Sequence, residues 1–169
     1  EVNRLAAGLR RLGFQAGSVF VLCLPSIPET VAASLAIAKI GGIQSHIFVG
    51  FSAKILRSRI ADLQADCVLC ADGFSRNGHI VALKDLVDDA LTHPDCDSVD
   101  INIVVPRLGL QPSLRADRDL LYEDVLFGHG GPEPTQNLPS DHILFVQYTS
   151  GTTGDPKGVV HTHGGYMVA

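Results

Sequence analysis

Basic residues are scarce in this sequence, and long apolar runs are missing. Lys and Arg number 13 against 18 Asp and Glu, which leaves a net charge of −5. A protein that binds nucleic acid presents a basic face, so this balance argues against a nucleic-acid partner. No apolar run approaches the roughly 18 residues of a membrane span. The chain also opens without the charged-then-apolar pattern of a signal peptide. We therefore expect no membrane association.

Cysteine is equally sparse, with four residues at positions 23, 67, 70 and 96. Cys67 and Cys70 form a C-x-x-C pair, but they lie in the apolar run DCVLCA, which is typical of a strand. Residues three apart on a strand point to opposite faces, and no second pair follows at metal-ligand spacing. Free cysteine packs as a small hydrophobe. We predict buried structural thiols, no metal site, and a reducing compartment such as the cytoplasm.

The remaining composition favours one well-packed domain, since 46% of the 169 residues are hydrophobic and only 18% are charged. Helical and extended patterns alternate with short links, which predicts an α/β fold with a mainly parallel sheet covered on both faces. Helices are predicted at 2–12, 28–40, 53–64 and 81–93, and strands at 18–25, 43–49, 66–71, 98–106 and 142–147.

The alternation stops between about 107 and 140, where glycine, proline and polar residues dominate. We predict an irregular excursion there, with one short apolar piece at LLYEDVLF. The chain starts inside an amphipathic pattern without a methionine, and it stops on an apolar segment. We therefore expect it to be a piece of a longer protein.

The stretch YTSGTTGDPKG, residues 148–158, follows the apolar run HILFVQ. It matches neither the G-x-x-x-x-G-K-[ST] nor the G-x-G-x-x-G phosphate-binding pattern. It still contains what a phosphate-binding loop needs: glycines that let backbone N–H groups converge on an anion, hydroxyl donors and a lysine. Composition alone leaves an ordinary Gly/Ser/Thr surface turn equally well supported.

The order of these residues closely resembles the signature [YF]-T-S-G-[ST]-T-G-x-P-K-G of the adenylate-forming enzymes. Three further stretches resemble acetyl-CoA synthetases in particular: LPSIPETV through GFSAKILRSRI, ADGFSRNGH, and KGVVHTHGGYMV. The resemblance extends over essentially the whole chain and is weakest between 107 and 139. It implies part of the large N-terminal domain of an AMP-forming acetate–CoA ligase, with the C-terminal domain absent from this chain.

The resemblance also implies a reaction. A short carboxylate attacks the α-phosphate of ATP, bound with Mg²⁺, to give an acyl-adenylate and diphosphate, and coenzyme A then displaces AMP. The partners would be small molecules. The signature loop would hold the β- and γ-phosphates through Thr149, Ser150, Gly151, Thr152, Thr153, Gly154 and Lys157.

A second motif, R-x-G-[RK] in the family, would contact the phosphates of coenzyme A through Arg76, Asn77, Gly78 and His79. The alternative for Arg76 is a solvated loop arginine. The family's catalytic lysine and carboxylate pocket would lie beyond residue 169, so no catalytic residue is identifiable here. Two other functions stay open: a non-catalytic nucleotide-binding relative, and a ligase for propionate or another acid.

The sequence departs from the family pattern at three of these places. Val49 stands where glycine or alanine is common before G-F-S, His79 replaces a basic residue, and Asp155 occupies a position often held by lysine.

Two other groups of polar residues are assigned no function. His161 and His163 are predicted to share one face of a strand, and two histidines are too few for a zinc site. Acidic residues at 88, 89, 95 and 97 are interpreted as a solvated helix end, because the spacing of a calcium loop is missing.

Overall fold

The computed structural model describes residues 1–128, 131–149 and 156–168. Six α-helices lie in this part of the chain: α1 Val2–Arg11, α2 Pro28–Ile40, α3 Ala53–Leu63, α4 Leu83–Leu91, α5 Tyr122–Leu126 and α6 His163–Met167. A short 3₁₀ turn follows α4 at Pro94–Cys96. The strands described are β1 Val19–Cys23, β2 Ile43–His46, β3 Cys67–Ala71, β4 Gly73–Arg76, β5 His79–Ala82, β6 Ile101–Val105, β7 Asp119–Leu121, β8 Ile143–Thr149 and β9 Lys157–Thr162.

The described strands form one large sheet in the order β7-β6-β3-β1-β2-β8-β9 and a separate β4–β5 hairpin. Neighbours in the large sheet are parallel except β8 and β9, which are antiparallel. This confirms the predicted mainly parallel sheet. A strand was predicted around His161, and β9 contains that residue, but its antiparallel pairing with β8 was not predicted.

Helices cover both faces of the sheet, as expected for a doubly wound fold. Helices α1, α2 and α5 pack together on one side, and α3 contacts α4 on the other. Between these layers the core is built from strand residues such as Phe20, Leu69 and Ile103, all fully buried.

Helix α2 shows how local sequence sets the boundaries of an element. Pro28 stands in its first turn, where its missing N–H costs nothing, and Gly41 ends it with φ +84° in the left-handed region. The C-x-x-C cysteines lie in β3, whose five residues are all buried. Burial raises the pKa of both the Cys67 and Cys70 thiols. The predicted structural role of this pair is confirmed.

The structure corrects two predicted boundaries. Residues 81 and 82 belong to strand β5 and not to the helix that follows, because the chain first turns back on β4. The excursion at 107–140 is not irregular throughout: β7 extends the sheet by pairing with β6, and α5 packs on α1. Tyr122, Val125 and Leu126, from the predicted apolar piece, are buried and hold this segment to the core.

The two histidines of the C-terminal segment do not share a strand face. His161 lies on β9 and stacks on Phe145, with 4.4 Å between ring centroids. His163 instead begins α6, because the Thr162 hydroxyl accepts a hydrogen bond from the Gly165 N–H and caps that helix. The prediction of a common face is therefore wrong.

Asp88 also differs from expectation, since it is part of an ion cluster under α4 and not a solvated helix end. Lys84, with no exposed side-chain surface, donates to Asp88 at 2.6 Å and to Asp119 at 2.8 Å. Arg118 donates to the same two carboxylates. The cluster is charge-balanced, which is the condition under which buried ions are tolerated. It fastens β7, at the sheet edge, to α4.

We expect this cluster to make stability fall in acid. Burial works to raise the pKa of Asp119, but hydrogen bonds from Arg118 and Lys84 outweigh it and lower the pKa from 3.8 to about 2. A carboxyl whose pKa is lowered by folding stabilises the native state above its unfolded pKa, and this contribution is lost as pH falls through the folded value. The free energy of unfolding, measured by urea denaturation, should therefore drop between about pH 4 and pH 2.

Asp119→Asn should flatten part of this drop, because asparagine does not titrate. Asp89→Asn, on the exposed side of α4, is the matched control and should leave the drop unchanged. An acid drop of the same size in Asp119→Asn as in the unchanged protein would contradict the assignment.

Candidate functional site

The loops that follow the parallel strands converge on one edge of the sheet. Strands β3, β1, β2 and β8 are adjacent and parallel, so their carboxyl ends share that edge. Open α/β sheets bind ligands in the crevice outside these ends. Segments that leave the sheet here include residues 47–52 after β2 and the β4–β5 hairpin after β3, and the described ends of the signature stretch, Thr149 and Lys157, lie at the same edge.

The β4–β5 hairpin contains the four residues of the predicted coenzyme A motif. Its turn is Asn77–Gly78, with φ +51° and +79°. Positive φ at both central positions is typical of the tight hairpin turn that Asn-Gly favours. Arg76 and His79 pair directly across the two strands, so their exposed side chains project from the same face. Sequence analysis missed this hairpin, although Asn-Gly is its signal.

The loop at 47–52 lies against this hairpin and adds aromatic surface, which sequence reasoning did not assign. The Arg76 guanidinium carbon lies 6.0 Å from the centroid of the Phe48 ring. Phe48 is 61% exposed and packs edge-on against Phe51, with 5.6 Å between centroids. A Cβ on Gly50 would lie 2.7 Å from an Arg76 Nη atom, so glycine leaves room for the arginine. A cation and an exposed aromatic face therefore lie side by side.

The signature stretch is described at its two ends. Thr149 ends β8 and pairs with Lys157, the first residue of β9, and both are exposed. Ser150, Gly151, Thr152, Thr153 and Gly154 lie outside the described residues. The two ends of the predicted phosphate loop thus meet across an antiparallel pair, and the lysine is positioned next to the last residue of a core strand.

Tyr148 anchors this strand end to helix α3. Its hydroxyl donates a hydrogen bond to Asp62, and the Arg59 guanidinium lies 3.9 Å from the centre of its ring. Burial, together with the hydrogen bond to Asp62, raises the pKa of Tyr148, so the phenol keeps its proton and remains a donor. Helix α3 begins directly after the loop at 47–52, called the Phe48 loop below. It therefore connects this loop, beside the hairpin, to the end of β8.

Among residues 1–128, 131–149 and 156–168, no cluster of three or more His, Cys, Asp or Glu side chains could hold a metal ion. In the same part of the chain, no helix combines the length and the apolar character needed to cross a bilayer.

A doubly wound sheet with a cationic hairpin and a glycine-rich stretch at its carboxyl edge is typical of nucleotide-binding α/β proteins. Comparison with known families makes the class specific: the model for AMP-binding enzymes matches residues 1–169. The chain belongs to the AMP-binding enzyme family.

Curated relatives include the acetyl-CoA synthetases of Methanothrix thermoacetophila, 43% identical over 167 residues, and Mycobacterium tuberculosis, 44% identical over 169 residues. Each alignment covers 99% of this chain and 25% or 26% of the relative. The solved structure of an acetoacetyl-CoA synthetase from Streptomyces lividans superimposes with a TM-score of 0.88 at 32% identity, covering 99% of this chain and 25% of that one. The chain thus spans about a quarter of the length of these relatives, and the predicted resemblance is confirmed.

We expect Gly78→Ala to loosen the hairpin. An added Cβ would meet no atom within 4 Å, so the effect comes from the positive φ alone. Holding a residue other than glycine in the left-handed region costs about 1–2 kcal/mol. Backbone amide exchange of residues 73–82, followed by mass spectrometry, should accelerate relative to β3.

Asn77→Gly, in the same turn, is the control, because glycine adopts positive φ at little cost. Its exchange should match or fall below that of the unchanged protein. Equal exchange in Gly78→Ala and the unchanged protein would contradict the turn assignment.

Proposed function

We propose that this chain forms part of an AMP-forming acyl-CoA synthetase that activates acetate with ATP and Mg²⁺ and transfers the acyl group to coenzyme A. One observation carries the proposal: the described ends of the signature stretch, Thr149 and Lys157, and the Arg76 hairpin belong to the same carboxyl edge of one sheet. Two strands, β1 and β2, separate the strands from which they emerge, a span of roughly 14 Å at the usual strand spacing. A single elongated site could therefore serve both nucleotides.

On the ATP side, Thr149 and Lys157 are proposed to hold the β- and γ-phosphates together with residues 150–154. The argument is electrostatic. Attack on the α-phosphate releases diphosphate, and a positive charge beside the leaving group stabilises the charge that develops there. Hydrogen bonds to charged groups are also stronger than neutral ones. The anchoring of Tyr148 to Asp62 and Arg59 supports this role, because it holds the residue before Thr149 in place.

On the coenzyme A side, Arg76 and His79 are proposed to meet the phosphates, and Asn77 and Gly78 to form the turn that presents them. Arg76 suits this role because its planar guanidinium can bind phosphate through two parallel hydrogen bonds. The exposed Phe48 ring beside it offers a stacking surface for a base, which is worth about 1–3 kcal/mol in other nucleotide sites.

The two halves fit the two steps of the proposed reaction. The carboxylate oxygen bonds to the α-phosphorus as the bond to diphosphate breaks, and the thiol of coenzyme A then bonds to the acyl carbon as AMP leaves. Mg²⁺ would enter with ATP and neutralise its phosphates. In this scheme the described residues bind and orient both nucleotides.

Lys157→Ala should slow acetate-dependent exchange of diphosphate into ATP in the complete protein. One charge-assisted contact is worth about 1.5–3 kcal/mol, which corresponds to a ten- to hundredfold loss. Lys39→Ala is the control: Lys39 lies in the last turn of α2, at the opposite edge of the sheet, where it donates to Thr135. Unchanged diphosphate exchange in Lys157→Ala would refute the phosphate role.

The same assay tests the substrate acid in the unchanged protein. Exchange with propionate but not acetate would make propionate the substrate, and no exchange with any acid would favour a non-catalytic relative.

Arg76→Ala should raise the KM for coenzyme A by about tenfold or more, because it removes a charged partner of the phosphates. The KM for ATP should stay within about twofold, since ATP is assigned to the other half of the edge. Arg10→Ala removes an arginine from the last turn of α1, where it pairs with Glu133 at 2.7 Å, and serves as the control. Steady-state kinetics in the complete protein test this, and equal effects on both KM values would argue against a separate coenzyme A half.

A further inference from the structure

Asp72 stands between β3 and the hairpin, and its side chain is buried with 1% exposure. Its carboxylate accepts five hydrogen bonds from four backbone N–H groups. Oδ1 accepts from Gly73 at 2.7 Å and from Arg107 and Leu108 at 3.0 Å. Oδ2 accepts from Leu108 and Leu110 at 3.0 Å. A buried carboxylate held by converging N–H groups organises the backbone around it.

The backbone of Asp72 extends this connection to both ends of the hairpin. Its N–H donates to Val105, the last residue of β6, at 2.9 Å. Its carbonyl accepts from the N–H groups of Leu83 and Lys84, at 3.1 and 3.3 Å, where α4 begins. The hairpin runs from Gly73 to Ala82. Both of its ends therefore attach to this one residue.

The loop held by the carboxylate also forms a wall against the hairpin. A Cβ on Gly73 would lie 2.6 Å from Leu110 Cδ1 and 2.8 Å from the Val81 carbonyl oxygen. The 107–110 loop and the base of the hairpin are thus in tight contact. The direction in which the hairpin leaves the sheet depends on where the Asp72 carboxylate holds this loop.

We propose that Asp72 is a positioning residue for the phosphate-binding hairpin: its carboxylate fixes the 107–110 loop and thereby sets Arg76 and His79 beside the Phe48 loop. The inference rests on the proposed function, since it takes Arg76 and His79 as the groups that meet coenzyme A. Asp72 acts through these residues and touches no substrate itself.

Asp72→Asn tests the carboxylate with little change of shape. One acceptor oxygen becomes an NH₂ group, which must then face backbone N–H donors, so at least one hydrogen bond is lost. The β4–β5 ladder does not involve the carboxylate, so the hairpin itself remains paired. The expected result is a hairpin that forms but is held less firmly against its neighbours.

In the complete protein, Asp72→Asn should raise the KM for coenzyme A by about tenfold while the KM for ATP stays within about twofold. Amide exchange of residues 73–82 should accelerate as well. Asp66→Asn is the matched control. Asp66 precedes β3 as Asp72 follows it, and its carboxylate accepts from the Val19 N–H at 2.7 Å, but at the other end of the strand. This variant should leave the KM for coenzyme A unchanged.

A double-variant cycle separates positioning from general weakening. If Asp72 acts through Arg76 and His79, then Asp72→Asn should raise the KM for coenzyme A by a smaller factor in the Arg76→Ala background than in the unchanged protein. Additive effects, or equal rises in Asp72→Asn and Asp66→Asn, would overturn the proposal.

Failure of the proposed function gives a different pattern, in which Arg76→Ala itself leaves the KM for coenzyme A unchanged. An effect of Arg76→Ala without one of Asp72→Asn would overturn the positioning role alone. Asp72→Ser, which keeps one acceptor oxygen, is the second variant. If neither variant of Asp72 folds while Asp66→Asn does, the residue serves the fold and the proposal is wrong.

Discussion

The parallel alignment of β3, β1, β2 and β8 places both the helices and the candidate site of this protein. Parallel strands need crossover connections, and the helices that provide them cover both faces of the sheet. The same alignment brings every strand's carboxyl end to one edge. Segments that are far apart in sequence, such as the hairpin at 73–82 and the end of β8 at Thr149, therefore emerge on the same side of the molecule.

Two polar arrangements, an ion cluster and the Asp72 carboxylate, attach the segment between β6 and β7 to this sheet. Lys84, Asp88, Arg118 and Asp119 form a balanced ion cluster. Asp72 instead satisfies its carboxylate with backbone N–H groups from the 107–110 loop. Both arrangements avoid an uncompensated buried charge, which would cost several kcal/mol. The segment between β6 and β7 is consequently fastened at both of its ends.

Features that depend on neighbouring residues in the chain could be predicted. The boundaries of α2 follow from Pro28 and Gly41, and the burial of Cys67 and Cys70 follows from an apolar run too short for a helix. Features that depend on contacts between residues far apart in the chain could not be predicted. The antiparallel pairing of β9 depends on the free edge that β8 offers, and His163 lies on a helix because Thr162 caps it. The hairpin at Asn77–Gly78 is an exception, because its Asn-Gly pair is a local signal for the turn that the sequence prediction missed.

The alternation of helices and strands, the family and the residue types of the candidate site follow from periodicity and motif order, which are local properties of the chain. Three contacts come from folding alone: Phe48 lies beside Arg76, Tyr148 is held by Asp62 and Arg59, and Asp72 connects the hairpin to the 107–110 loop. These contacts join residues between 28 and 89 positions apart. Sheet topology and packing bring such residues together, and neither is encoded in a short stretch of sequence.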